Sequence, residues 1–251
     1  MLHPGLTSVT FRALPPQAVV ALAAQARLGA IEWGGDIHVP HGDVECAKQV
    51  RAITEDAGLA VSSYGSYYRA GALNKFSFEQ VLESAATLAA PVIRVWAGVK
   101  GSRECGAEER RAVLWDAQRI AELAGRCRIK VAFEYHQGTL TDTTDSALQM
   151  LQELSACGLQ TYWQPPNGMP EEQCEAGLKS ILPWLANLHA FHWTPERKPL
   201  SEGRAAWERY LAAAGASSRD HFVLLEFVAG DDPANFLRDA ATLQEWLKQK
   251  P

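Results

Sequence analysis

The sequence predicts an α/β fold, a single (β/α)8 TIM barrel spanning residues 1–251. Three observations predict it. Eight short segments rich in β-branched, aromatic and aliphatic residues recur along the chain, each followed by a longer amphipathic stretch, the alternation that builds a parallel sheet with crossover helices. Divided among eight units, the chain gives about 31 residues per unit, the usual barrel repeat. Polar residues also gather at the C-terminal ends of nearly all eight segments, which suits a closed barrel whose mouth is shared by every strand.

The first strand is expected over Leu6 to Arg12, with Pro16 opening the next helix at a favoured early position and Gly29 following its end. The second, Ala30 to Trp33, leads to a helix closed by Gly58. After the third, Val61 to Tyr67, Ser77 stands three residues ahead of Gln80 in capping-box order. The fourth is Val92 to Gly98 and the fifth Lys130 to His136, and the helix after the fifth ends before Gly158. The sixth, seventh and eighth are Leu159 to Gln164, Asn187 to Trp193 and Phe222 to Val228. A last helix starts near Pro233 and runs through Leu237, Leu243 and Trp246, leaving little before Pro251. The competing open, doubly wound sheet is disfavoured because no Gly-x-Gly-x-x-Gly follows the first strand.

Composition narrows the function classes. A hydrophobic content of 47% supports one continuous core, and a net charge of -5 without a Lys/Arg run excludes nucleic acid as a partner. No apolar stretch approaches the length that spans a bilayer, and MLHPGLTSVT lacks the pattern of a signal peptide, so the expected location is cytoplasmic and no membrane partner is expected. The 5 cysteines show no C-x-x-C spacing and read as reduced and structural.

Strand residues alternate between barrel interior and helix layer, so a charge among apolar neighbours must sit near the mouth or be paired. The fifth segment reads VAFEYH, with Glu134 and His136 on one face, and the sixth TYWQPPNG, with Gln164 followed by Asn167. In NLHAFHW of the seventh, His189 and His192 have opposite parity, so a regular strand directs one of them inward. Glu226 is embedded in the apolar run FVLLEFV of the eighth. An isolated carboxylate there costs several kcal/mol unless a cation compensates it. Two glutamates, an imidazole and a side-chain oxygen from strands 5 to 8 form a mostly hard donor set suited to a divalent Mn, Mg or Co ion.

With these residues, the chain resembles the xylose isomerase-like superfamily of sugar isomerases and epimerases, which includes ketose 3-epimerase-like proteins of carbohydrate metabolism, and the resemblance covers all of it. In that family a Glu, an Asp, a His and a Glu ending strands 5 to 8 bind one catalytic metal. The resemblance implies Glu134, Gln164, His192 and Glu226 as ligands, with His192 preferred to His189 because Glu196 soon follows it. Gln164 stands where the family usually has Asp, leaving two negative charges among the ligands rather than three and weakening the expected metal affinity.

The implied reaction is isomerisation or epimerisation of a ketose or related polyhydroxy-carbonyl compound through an enediolate, Glu134 and Glu226 exchanging the proton as catalytic residues. A barrel that binds a sugar or cyclitol without turning it over is the alternative that Gln164 suggests, and cyclitol dehydration would share the same proton abstraction. A phosphodiesterase of the DNA-repair type would need more histidines and a basic face. Expected substrate contacts are Glu32, Trp33 and His38 after strand 2, Tyr67 after strand 3, Arg94 and Trp96 on one face of strand 4, His136, and Trp193. Several have plainer readings: the tryptophans as mouth caps, His189 as a packing histidine, Arg94 as an ion-pair partner of Glu32 or Glu134, and Arg197 and Lys198 as solvated loop charges. The resemblance also admits a homo-oligomer.

Overall fold

Eight parallel strands close into a barrel in the computed structural model, which describes residues 1–193 and 195–248. They are β1 (Leu2–Thr7), β2 (Ala30–Gly34), β3 (Ala60–Ala70), β4 (Val92–Ala97), β5 (Lys130–Glu134), β6 (Gln160–Trp163), β7 (Leu185–Ala190) and β8 (His221–Leu225). Closure is made by β1 against β8, with Leu2 beside His221 and Leu6 beside Leu225. The helices that return the chain are α1 (Pro16–Gln25), α2 (Val44–Asp56), α3 (Phe78–Thr87), α4 (Ala107–Arg126), α5 (Thr144–Glu153), α6 (Glu171–Ile181), α7 (Arg204–Gly215) and α8 (Pro233–Lys248). A short antiparallel pair, His192–Trp193 with Arg197–Lys198, follows β7. No helix among the described residues is long and apolar enough to cross a membrane.

Local chemistry fixes several boundaries. Pro16 occupies the first turn of α1, where its missing N–H leaves nothing unsatisfied. The α3 capping box forms, Gln80 N donating to Ser77 Oγ at 3.3 Å and Ser77 N to Gln80 Oε1 at 2.9 Å. Gly29 does not close α1 as expected; Arg27, at φ 53, takes that left-handed position, while Gly58, at φ 73, does close α2.

Strand ends differ most from the sequence expectation. β1 begins four residues early, and Ser8–Phe11, expected as strand, is a 3-10 turn. Pro4 and Gly5 argue against a strand by propensity, yet both belong to it. The Pro4 carbonyl accepts from Gly29 N at 2.9 Å, and a Cβ on Gly5 would stand 2.6 Å from Leu224 Cδ2 and 2.9 Å from Ala30 O. Glycine is therefore what lets β1 approach β2 and β8. β5, β7 and β8 stop two to three residues before the expected ends, moving His136 into a loop and His192 and Trp193 into the short hairpin.

Alternation along the strands separates two sets of side chains. Ala132, Tyr162, Ala186 and Leu224, with Val92 and Phe222 against them, fill the barrel interior. Two residues further along the same strands come Arg94, Glu134, Gln164 and Glu226, so the interior turns polar toward the mouth. Outward-facing residues such as Leu6, Ile31, Val95, Phe133 and Val223 join the larger core beneath the helices, each full burial worth about 1.5–3 kcal/mol.

Candidate active site

Arg94 organises the polar layer. Its Nε donates to Glu32 Oε1 at 2.9 Å and its Nη1 donates to Glu134 Oε2. All three side chains are buried, which the barrel permits because the residue beside them on β3 is Gly65: a Cβ there would lie 2.6 Å from Arg94 Nη2. Ser63 Oγ donates to the second oxygen of Glu32 at 2.7 Å, and Trp96 Nε1 joins Arg94 on Glu134 Oε2. Part of the positive charge that buried carboxylates at the mouth require is thus supplied by the chain itself.

His189 occupies the centre. Pairing of β6 with β7 steps from Thr161 beside Leu185 to Trp163 beside Leu188, so β7 holds one extra residue. That irregularity shifts the parity of β7 after Ala186, directing Asn187 and His189 inward. The imidazole Nδ1 lies 3.0 Å from Gln164 Oε1, 3.3 Å from Glu226 Oε2 and 3.8 Å from Glu134 Oε1. On the other side of the ring, Nε2 lies 3.5 Å from Glu32 Oε1.

The electrostatics follow from this packing. Burial would raise the Glu32 and Glu134 pKa values, but Arg94, then His189, outweighs it and holds both carboxyls below their ordinary range. Burial would lower the His189 pKa, yet Glu226 and Glu32 raise it to about 10.

By type, three oxygens and one imidazole nitrogen form the kind of donor set a divalent ion takes. Ligands of an octahedral ion with bonds of about 2.1 Å stand about 3.0 Å apart when adjacent and about 4.2 Å apart when opposite. The three oxygens around His189 Nδ1 fall in that span, and Glu226 Oε2 is buried without a hydrogen-bond partner among the described residues. Two of these side chains are also oriented from behind, Glu134 by Arg94 and Trp96 on its other oxygen and Gln164 by donation from Nε2 to the Tyr135 carbonyl at 2.9 Å, while Glu32 stands 3.5 Å from His189 Nε2. Among the described residues no three His, Cys, Asp or Glu side chains alone are spaced to hold an ion.

Of the residues singled out from sequence, Glu32, Arg94, Trp96, Glu134, Gln164 and Glu226 meet here. Tyr67 adjoins them, its ring 5.1 Å from the Arg94 guanidinium, and His136 packs 4.7 Å from the Trp96 ring. His192 does not meet them. β7 ends at Ala190, and His192 pairs with Lys198 in the short hairpin, its imidazole against Gly203. His192 and Trp193 instead line a separate cavity of about 80 Å³ with Trp207 and Tyr210 of α7. Trp33 faces the helix layer, and His38 is a buried brace, Nδ1 2.9 Å from Ser8 Oγ and Nε2 3.1 Å from the Leu14 carbonyl.

From sequence His189 reads as a packing histidine, and one signal points the other way. Leu182-Pro183-Trp184 marks the turn into β7, so a six-residue strand counted from Leu185 ends at Ala190, with His189 at its rim.

The family model of the xylose isomerase-like TIM barrel matches residues 20–250. Among solved structures, a probable 3-DHS dehydratase involved in petrobactin synthesis from Bacillus anthracis superposes with a TM-score of 0.80 at 18% identity, covering 96% of this chain and 98% of that one. A xylose isomerase domain protein from Planctomyces limnophilus gives 0.73 at 17% identity, covering 91% and 90%. D-psicose 3-epimerase from Clostridium cellulolyticum H10 gives 0.74 at 12% identity, covering 98% of both chains. At such identities the likeness is one of fold. No curated protein matches the chain.

Proposed function

The chain belongs to the xylose isomerase-like TIM barrel family, and within it we propose an enzyme that moves a proton next to the carbonyl of a small polyhydroxy compound, isomerising or epimerising it. The observation that carries this reading is the ring of three side-chain oxygens, from Glu134, Gln164 and Glu226, around Nδ1 of His189. These four residues would hold a divalent Mn, Mg or Co ion. When bound, such an ion polarises a carbonyl and a neighbouring hydroxyl, acidifying the intervening C–H.

Glu226, which neither Arg94 nor Trp96 clamps, would take the proton on Oε1, the oxygen left over when Oε2 faces the ion. Glu134 is placed to hold charge, since Arg94 and Trp96 fix one of its oxygens. Glu32, held by Arg94, stands 3.5 Å from Nε2 of His189, and the Tyr67 and Trp96 rings meet edge to face beside the centre. The inequality of the two glutamates favours a second reading. One free base and a clamped carboxylate suit elimination of a β-hydroxyl, a dehydration, as well as transfer between two faces, and the fold is shared with a probable 3-DHS dehydratase as well as with an epimerase.

The test is solvent deuterium uptake into a panel of ketoses and cyclitol ketones, after chelation and again with Mn²⁺ or Mg²⁺ restored. Metal-dependent exchange without loss of water supports isomerisation or epimerisation, and exchange with an enone product supports dehydration. Sugar affinity that survives chelation with no exchange in any compound would leave only a binding protein.

A further inference from the structure

Beside the polar centre, the chain after β1 and the chain after β8 enclose a cavity of about 310 Å³, lined among others by Phe11, Arg12, Arg197, Phe227 and Asp231. Two contacts join it to the centre. Phe227 directly follows Glu226, and Arg12 Nη2 donates at 3.0 Å to the hydroxyl of Tyr67, whose ring packs on Arg94. A ligand reacting at Glu226 would extend its far end into this space.

The lining charges are unequal: two guanidiniums and one carboxylate. Arg12 is tied by Nη1 to Asp36, which does not line the cavity, and Arg197 by Nη1 to Asp231 at 2.6 Å. Among the described residues no bond engages Arg12 Nε or Arg197 Nη2. The Arg197 guanidinium carbon lies 5.1 Å from the Trp193 ring centre and 4.9 Å from that of Phe227, beside two rings that meet edge to face. Backbone strain gathers at the same place. Of the described non-glycine residues with left-handed φ, Arg27, Ala89 and Arg128 close helices, whereas Phe227 (φ 53) and Asp231 (φ 49) line this cavity and Tyr67 (φ 56) receives Arg12.

We propose that this cavity is an anion subsite in which Arg12 and Arg197 hold a carboxylate or phosphate at the end of the substrate remote from the reacting carbons. Two planar forks, each tied to a carboxylate by Nη1 and each with an unused N–H group, match the oxygens of either anion. The subsite rests on the reading of the mouth as a proton-transfer centre, and it narrows the substrate to a polyhydroxy acid or a phosphate ester.

Binding of gluconate, glucose 6-phosphate and neutral sorbitol to the full chain by calorimetry tests it, independently of turnover. One of the two anions is expected to bind at least tenfold more tightly than sorbitol, and which one tells carboxylate from phosphate. Arg12→Gln and Arg197→Gln should each reduce that affinity at least fivefold and leave sorbitol within twofold, with Arg12→Lys intermediate. Equal affinities, no binding by either anion, or an anion preference unchanged in both glutamine variants would overturn the subsite. Deuterium exchange into neutral ketoses without anion preference removes the subsite alone, whereas anion preference without any exchange removes the proton-transfer reading alone.

Discussion

Arg94 grips Glu134 by Oε2, the oxygen turned away from His189, leaving Oε1 at 3.8 Å from the imidazole. One buried guanidinium therefore neutralises part of the acidic layer and aims the rest. Arg94→Met would leave Glu32 and Glu134 buried without their partner, a loss of about 3–5 kcal/mol by the usual penalty for a broken buried pair. Chemical denaturation reads it directly, and a loss under about 1 kcal/mol would mean that the pair is solvated in solution.

His189 and His192 divide the roles that the sequence left between them. His189→Asn is expected to reduce Mn²⁺ affinity and metal-dependent exchange at least a hundredfold, because it removes the nitrogen around which the three oxygens gather. His192→Asn, in the hairpin against Gly203, should stay within threefold of the parent on both measures. The reverse ranking would return the site to His192.

Gln164→Asp replaces a neutral oxygen donor by a charged one at the same position. Mn²⁺ titration should show tighter binding by a factor of about ten or more, the scale of one added carboxylate in a buried set. The substitution also removes the Nε2 donation to the Tyr135 carbonyl, so thermal stability of the ion-free variant should fall slightly while that of the loaded variant rises. Unchanged affinity would mean that Gln164 is not a ligand.

How much of this was legible follows from what each signal measures. Strand-helix alternation reports burial period, so the eight-stranded barrel could be read, and so could the shared face of Arg94 and Trp96, which needs only the rule of two. Glu134, Gln164 and Glu226 stood out because a polar residue in an apolar strand must be answered by something. What answered it was legible in part: sequence offers Arg94 as a partner of Glu32 or Glu134, but that one guanidinium reaches both depends on Gly65 of a neighbouring strand leaving room. His189 was missed because one extra residue in β7 reverses inward and outward, and a single sequence carries no mark of a bulge.

Two buried groups should tilt the stability profile in opposite directions. Burial lowers the His41 pKa to about 4, with Asp36 opposing, so the folded protein keeps this ring neutral. A folded-state pKa below the unfolded one means stability present above about pH 6.5 and lost as pH falls through 4. Burial raises the Asp239 pKa to about 6, against the hydrogen bond it accepts from Leu200 N at 2.9 Å. Its ionisation opposes folding fully above pH 6 and is relieved on acidification, so over the same window the two contributions partly cancel in the parent protein. His41→Gln and Asp239→Asn separate them. Denaturant unfolding between pH 4 and 7.5 should show the His41→Gln protein holding more of its stability in acid than the parent, and the Asp239→Asn protein losing more of its own. The cause assigned to each shift fails if both variants run parallel to the parent, because a neutral side chain at either position cannot contribute a slope.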